Sequence, residues 1–197
     1  MKIKMIFACT ENDYVFGNAN KLPWAHNVKR DMDIFREYTK DCMLVMGRKT
    51  FESLPGKLRN LPHVVISGNS TNEQITNQKG QNPCITLKDI DDALSFIVSS
   101  NSKNNDCCFI GGAGVLEEIV EFVDDCIISE FIFRDECKRY YDAPRYINLP
   151  HIIKTLNDRK DHLTVCIDKL HEIDDTESEI YGVSFTQYTK SPLSIII

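Results

Sequence analysis

Three short apolar runs separated by helical patterns constrain the fold more than any other feature of this 197-residue sequence. They cover residues 43–46, 63–67 and 107–110. Continuous apolar runs of this length are typical of strands buried on both faces, and such strands occur in parallel sheets that helices cover. Helical spacing of apolar residues over 88–100 and 115–123 supplies covering helices. The alternation predicts an α/β fold with a mostly parallel central sheet flanked by helices and right-handed connections.

Further strands are predicted on both sides of this core, at residues 2–9, 84–86 and 126–133. Residues 162–173 and 179–190 are predicted as a C-terminal antiparallel hairpin around an acidic turn. The segments 10–22, 68–83 and 135–150 are predicted as a long loop, a mobile surface loop and irregular chain, with a helical turn near 152–156. We expect one domain over residues 1–190 and a short apolar tail over 191–197.

Charge and composition exclude several classes of function. The net charge of −6 argues against nucleic acid as a partner, because phosphate binding needs a basic face. The sequence has no apolar run long enough for a membrane span and no signal-peptide pattern at its start. The eight cysteines form no Cys-x-x-Cys pair, and the five histidines lack ligand spacing. We therefore expect a cytoplasmic monomer with reduced thiols and no structural metal.

Asp31 is the acid whose position is hardest to explain by packing. Residues 28–40 are predicted as a helix whose buried stripe includes Met32 and Phe35. At roughly 100° per residue, Asp31 lies within about 40° of Phe35, whereas Asp33 lies on the opposite, solvated side. A partly buried carboxylate is costly unless it is bonded to another group. Asp31 therefore either forms a local cap or ion pair, or lines a cleft.

Two turns between a strand and a helix carry glycine and small residues. Gly47 precedes Arg48 and Lys49 at a predicted helix start, with Thr50 as its expected N-cap. Basic residues oppose the dipole at this end of a helix, and a bound anion explains their placement. The run Gly111-Gly112-Ala113-Gly114 leaves room for a pyrophosphate beside the backbone. Each turn alone also fits an ordinary loop, but two at one edge of a parallel sheet indicate a dinucleotide.

An ordered set of short motifs runs through the first two thirds of the chain. It comprises Gly17, Asn20, Leu22-Pro23-Trp24, Asp31, Phe35, residues 46–55 and 64–67, and Ile110-Gly111-Gly112. In this order and spacing the motifs resemble the dihydrofolate reductase family over residues 1–133, whereas the C-terminal part matches only by pattern. The resemblance implies NADPH-dependent reduction of 7,8-dihydrofolate to 5,6,7,8-tetrahydrofolate, with dihydrofolate and antifolates as ligands.

The resemblance also implies a role for each matching position. Asp31 is implied to bind the pterin ring and to assist protonation of N5, with Ser129 as its hydroxyl partner. Leu22 and Trp24 belong to the loop that closes over the nicotinamide, and they complete the implied catalytic set with Asp31. The implied substrate contacts are Ile6, Ala8, Asp31, Met32, Phe35, Leu54, Arg59, Ile110 and Ser129. The implied cofactor contacts are Ala8, Gly17, Asn20, Leu22, Gly47, Arg48, Lys49, Thr50, Ser67, Ile110, Gly111, Gly112, Ala113, Gly114 and Val115.

Three positions depart from the family pattern, since Gly114 and Leu116 stand where many members carry a basic and an aromatic residue, and Leu61 is the third. Leu61 stands where the family usually has an arginine that binds the glutamate tail of folate, and Arg59 is the predicted substitute.

Two alternative functions stay open. A pyrimidine reductase of riboflavin synthesis is disfavoured, because it should lack Asp31 after Leu22-Pro23-Trp24. A degenerate homologue with a structural role is supported by the missing arginine.

Overall fold

The computed structural model describes residues 1–24, 28–58, 61–99, 106–134, 141–159, 163–167, 170–173 and 179–190. The chain divides into two units, Met1–Met5 with Thr39–Val123 and Ile6–Tyr38 with Asp124–Ile197. No helix in the described part of the chain is long and apolar enough to cross a membrane. The predicted tail at 191–197 lies outside the described residues, and the single domain stays a prediction.

The described residues contain sixteen helices and strands. In chain order they are β1 (Ile3–Thr10), β2 (Val15–Asn18), α1 (Lys29–Tyr38), β3 (Met43–Gly47), α2 (Arg48–Ser53), β4 (His63–Ile66), β5 (Ile85–Leu87), α3 (Ile90–Ser99), β6 (Cys107–Phe109), α4 (Ala113–Ile119), β7 (Asp125–Phe133), β8 (Pro144–Tyr146), α5 (Leu149–Asp158), β9 (Thr164–Ile167), β10 (His171–Glu172) and β11 (Ile180–Thr189). Short 3₁₀ turns cover Asn72–Gln74 and Val120–Phe122.

Parallel strands form the sheet of the first unit. The start of β1 pairs with β6, and the order continues through β3, β4 and β5, with every pair parallel. β3 and β6 are buried along almost their whole length, as their apolar runs predicted. The register sets Gly47 beside Ile66, so the carboxyl ends of β3 and β4 meet at one edge. The predicted α/β class with a mostly parallel central sheet is confirmed.

Antiparallel pairs dominate the second unit. β11 pairs with β7 along nine residue pairs, from Thr189 opposite Asp125 to Ile180 opposite Phe133. β9 and β10 both run antiparallel to β11, which confirms the C-terminal hairpin. The first arm is two short strands and not the predicted single one. Leu170 lies between these two strands and packs against Gly182. A Cβ atom added at Gly182 would come 2.7 Å from the Cδ1 atom of Leu170.

Two segments predicted as irregular contain regular structure. The predicted loop at 10–22 includes β2, which pairs antiparallel with β8 from the predicted irregular segment 135–150. The predicted turn near 152–156 is the full helix α5, and the Asn148 side chain caps it by accepting a hydrogen bond from His151 N at 3.2 Å. These predictions were wrong because strands of three or four residues have too little alternation to detect, and their partners are distant in sequence.

The segment 68–83 is also more ordered than the predicted mobile loop. Ile75 is fully buried, and Asn77 is 4% exposed. The Asn77 Oδ1 atom accepts hydrogen bonds from Lys79 N at 3.0 Å and Gln81 N at 3.1 Å. An asparagine side chain that replaces backbone partners in this way fixes a loop whose composition alone indicates mobility.

Candidate functional site

The buried face of α1 carries Asp31 one turn before Ile34. Ile34 is 3% exposed and Tyr38 is 1% exposed, whereas Met32 and Phe35 are only half-buried. The predicted buried stripe was therefore wrong in position, because Ile34 and Tyr38 are the side chains that enter the core. Met32 and Phe35 instead offer partly open apolar surface next to Asp31, which a cleft requires.

Asp31 and Ser129 form the polar centre of this region. Burial raises the pKa of Asp31 above its ordinary value, and the Ser129 hydroxyl partly offsets that rise. Ser129 is 1% exposed, and among the described residues no group other than Asp31 offers its Oγ atom a hydrogen-bond partner. Asp33, by contrast, faces water, as predicted, and it accepts a hydrogen bond from Arg36 at 2.8 Å. A carboxyl group with a raised pKa beside a buried hydroxyl is suited to hold and transfer a proton.

Trp24 packs on the same face of β7 as Ser129. Its ring stacks on Phe131 with the centroids 3.8 Å apart and the planes at 14°, and it is only 5% exposed. Ser129 and Phe131 are two residues apart, so their side chains point to the same side of the strand. Leu22, two residues before Trp24, is 48% exposed. The chain is thus held at Trp24 while Leu22 remains open to solvent.

The other predicted substrate residues have mixed environments. Ile6 is 3% exposed and Ala8 is half-buried on β1. Leu54 and Ile110, both half-buried, belong to the first unit, and Ile110 N donates to Val45 O at 3.0 Å. The predicted tail contact, Arg59, lies outside the described residues.

A cavity of about 540 Å³ lies at the carboxyl edge of the parallel sheet in the first unit. It brings together nine of the predicted cofactor residues, and ligands bind at this edge of open α/β sheets. The nine are Gly47, Arg48, Lys49, Thr50, Ser67, Gly112, Ala113, Gly114 and Val115. Four of the other predicted contacts, Ala8, Gly17, Asn20 and Leu22, belong to the second unit.

The two glycine turns meet at this cavity. Gly47 N donates to Gly111 O at 2.7 Å, and the peptide bond between Gly111 and Gly112 is cis. Gly111 has a φ of 137°, which side-chain-bearing residues rarely adopt. A Cβ atom on Gly112 would lie 3.3 Å from Thr50 Oγ1. Gly47 occupies the N-cap of α2, so the predicted cap at Thr50 is wrong.

The cavity is positively charged at its rim. Arg48 and Lys49 are exposed, and no carboxylate is among the described residues that line the cavity. The Arg48 guanidinium lies 3.8 Å from Glu52 in an exposed pair of small energetic weight. Lys49 has no ion-pair partner within the described ranges. The residues present therefore fit a ligand that carries phosphate groups.

Sequence reasoning missed four residues that line the same cavity, namely Ile66, Gly68, Asn69 and Ser70. Ile66 is the last residue of β4, which is parallel to β3 and ends beside Gly47, and the other three residues follow the strand. The polar run after a buried parallel strand was the available signal, since neighbouring parallel strands end at the same edge. It was interpreted as part of a mobile surface loop instead.

Comparisons of the sequence and of the fold with known proteins all match dihydrofolate reductases. The family model described as dihydrofolate reductase matches residues 2–148. A Neisseria meningitidis dihydrofolate reductase is 43% identical over 144 residues, covering 73% of this chain and 80% of that protein. Dihydrofolate reductase type 8 of Escherichia coli is 27% identical over 154 residues, covering 78% of this chain and 85% of the relative. A solved Enterococcus faecalis dihydrofolate reductase complexed with NADP(H) and RAB-propyl shares the fold, with a TM-score of 0.64, 19% identity and 95% coverage of both chains.

Proposed function

Because the chain belongs to the dihydrofolate reductase family, we propose that it reduces 7,8-dihydrofolate to 5,6,7,8-tetrahydrofolate with NADPH as the hydride donor. The observation that carries this proposal is the Asp31 carboxyl group, with its raised pKa, beside the buried Ser129 hydroxyl. A family member that had lost its activity has no need to keep a costly buried acid. The product supplies one-carbon and thymidylate metabolism.

In this proposal the second unit holds the pterin ring. Asp31 binds the ring's amino group and ring nitrogen, and it assists protonation of N5. Ser129 is the hydroxyl partner of that acid, and Met32 and Phe35 supply apolar contacts. Trp24, fixed by its stack on Phe131, anchors the segment that carries Leu22. The half-exposed state of Met32 and Phe35 supports these roles, because residues meant for the core alone would be buried.

The cavity of the first unit is proposed to hold the phosphates of NADPH, which when bound supplies a hydride to C6 of the substrate. Gly111 and Gly112 keep side chains away from the backbone, and Thr50 and Ser67 offer hydroxyl donors. Arg48 and Lys49 favour the 2′-phosphate, since paired cations suit a dianion. NADPH is therefore the preferred cofactor over NADH.

The glutamate tail of the substrate needs a cation that Leu61 does not supply. Leu61 is half-buried and cannot pair with a carboxylate. Arg59 remains the predicted substitute. We further propose a cytoplasmic monomer; the buried thiols Cys9 and Cys126 suit a reducing compartment.

Steady-state oxidation of NADPH in the presence of dihydrofolate tests this function. The wild type should turn over with NADPH and far more slowly with NADH. Lys49→Ala should raise the KM for NADPH about tenfold, the loss expected for one charge-assisted phosphate contact, and leave the KM for NADH unchanged. Lys88→Ala, an exposed lysine beside Asp89 in the same unit, is the matched control and should change neither constant. Absence of turnover with either cofactor would contradict the proposal.

A further inference from the structure

A second depression, of about 490 Å³, lies in the second unit between β7, α5 and the turn before β2. Its floor is apolar, with Leu149 1% exposed and Ile153 half-buried. Glu130 projects into it from β7 and is half-buried. Exposed polar groups at Lys154, Asn157 and Asp158 complete the rim, with Tyr14 and Pro150 as the remaining walls.

This depression is separate from the proposed pterin site. Ser129 and Glu130 are consecutive on β7, and consecutive side chains of a strand point to opposite faces. The side chain of Glu130 therefore lies on the other face of β7 from Asp31 and Trp24. None of the residues that line the depression was assigned a role in dihydrofolate reduction.

Glu130 has no partner that explains its position. Among the described residues its carboxylate makes no hydrogen bond or ion pair. Burial raises the pKa of Glu130, and the nearby Glu11 carboxylate raises it further. The pKa of the buried Cys9 thiol is also raised, by burial first and then by Glu130 and Asp13. Among the described residues, the groups that shift the pKa of Glu130 thus include a second carboxylate and no cation.

Tyr14 is held rigidly at the mouth of the depression. Its φ of 54° is in the left-handed region, which is uncommon for a residue with a large side chain. Tyr14 N donates to Thr10 O at 3.2 Å, and Ile147 N donates to Tyr14 O at 3.0 Å. Thr10 Oγ1 also accepts from Val15 N at 2.7 Å and donates to Asp13. Residues in strained conformations that several bonds enforce are concentrated at ligand sites.

We propose that this depression, which we call the Glu130 site, binds a small organic cation with a flat apolar body. The cationic group pairs with the Glu130 carboxylate, and the apolar body lies on Leu149 and Ile153 beside the Tyr14 ring. Charge complementarity selects a cation, because Glu130 and Asp158 outnumber the single cation Lys154. An aromatic ring at the mouth favours the same charge, since the ring face attracts cations.

Binding of benzamidine, a planar aromatic amidinium, followed by calorimetry tests the proposal, with the neutral isostere benzamide as the ligand control. Benzamidine should bind the wild type and benzamide should not. Glu130→Gln should weaken benzamidine binding at least about tenfold, because a charge-assisted contact is lost. Glu121→Gln, an exposed acid in the first unit, is the matched control and should have no effect. Asp31→Asn should also leave the binding unchanged, which separates this site from the pterin site.

Ile153→Arg provides an independent variant, because a long cationic side chain at the floor should fill the depression and abolish binding. This variant keeps the test decisive if Glu130→Gln does not fold. Three results would overturn the proposal. They are equal binding to wild type and to Glu130→Gln, loss of binding in Asp31→Asn but not in Glu130→Gln, and no binding to the wild type at about 10 mM benzamidine.

Discussion

Tyr38→Phe is predicted to destabilise the protein through the buried carboxylate of Asp125. The Tyr38 hydroxyl donates to Asp125 Oδ1 at 2.9 Å, and the two residues are 1% and 4% exposed. Gln187 Nε2 donates to the same oxygen at 3.1 Å, and Thr189 Oγ1 donates to Oδ2 at 2.9 Å. Tyr38 ends the helix that carries Asp31, and Asp125 begins the strand that carries Ser129. This network therefore fixes both elements of the proposed pterin site.

The expected loss of stability in Tyr38→Phe follows from the hydrogen bonds that remain to Asp125. Phenylalanine keeps the ring in place and removes only the hydroxyl, so no large cavity forms. A hydrogen bond to a charged group contributes about 1.5–3 kcal/mol, and Gln187 and Thr189 still satisfy the carboxylate. We expect the free energy of unfolding to fall by about 2 kcal/mol. For a chain of 197 residues this lowers the Tm by about 4–8 °C.

Chemical denaturation of wild type and variant measures this change directly. Tyr181→Phe is the matched control, because the Tyr181 hydroxyl also bonds a carboxylate, that of Glu172, but at an exposed position. It should cost no more than about 0.5 kcal/mol. Equal and small losses for the two variants would contradict this prediction. That result would mean that burial of the Asp125 network adds no stability.

Two further predictions concern pH. Burial raises the pKa of Asp31 above 3.8, so the folded state binds its proton more tightly than the unfolded state does, and stability falls as pH rises through that window. Asp31→Asn should therefore be more stable than wild type at pH 7 in denaturant titrations and lose this advantage below about pH 4; lower stability at pH 7 would contradict the sign. Burial, more than the nearby Lys57 charge, lowers the pKa of His63 below 6.5 despite the bond to Leu61 O, so stability should fall as pH drops below 6.5. An NMR titration of the His63 ring should give a midpoint below 6.5, and a midpoint above it would be inconsistent with the buried position.

The central strands were predictable because their signal is local. Short apolar runs that end at glycine, as at 43–46 and 107–110, are typical of buried strands. The edge of the sheet at which these strands end then follows from their parallel pairing. Nine of the predicted cofactor residues, from Gly47 to Val115, therefore line one cavity, and their role in cofactor binding stays a prediction. Asp31 was singled out by helical spacing, although the buried stripe beside it was wrong in position.

What sequence could not supply depends on contacts between distant residues. β2 and β8 each have too few residues for a pattern, and they form strands only because they pair with one another. The Asp125 network joins α1, β7 and β11, and no spacing rule connects those three segments. The Glu130 site requires α5 to pack beside β7, and α5 was predicted as only a turn. In each case the missing information is tertiary packing, which overrides weak local preference.

Asp31 is the proposed acid of a dihydrofolate reductase. The most direct test is the rate of NADPH oxidation with saturating dihydrofolate in wild type and Asp31→Asn at pH 7, with NADPH affinity measured separately by fluorescence. We expect turnover by the wild type and a loss of at least about 100-fold in the variant, the usual contribution of a positioned acid, with NADPH affinity unchanged. Equal rates for the two proteins would exclude Asp31 as the acid.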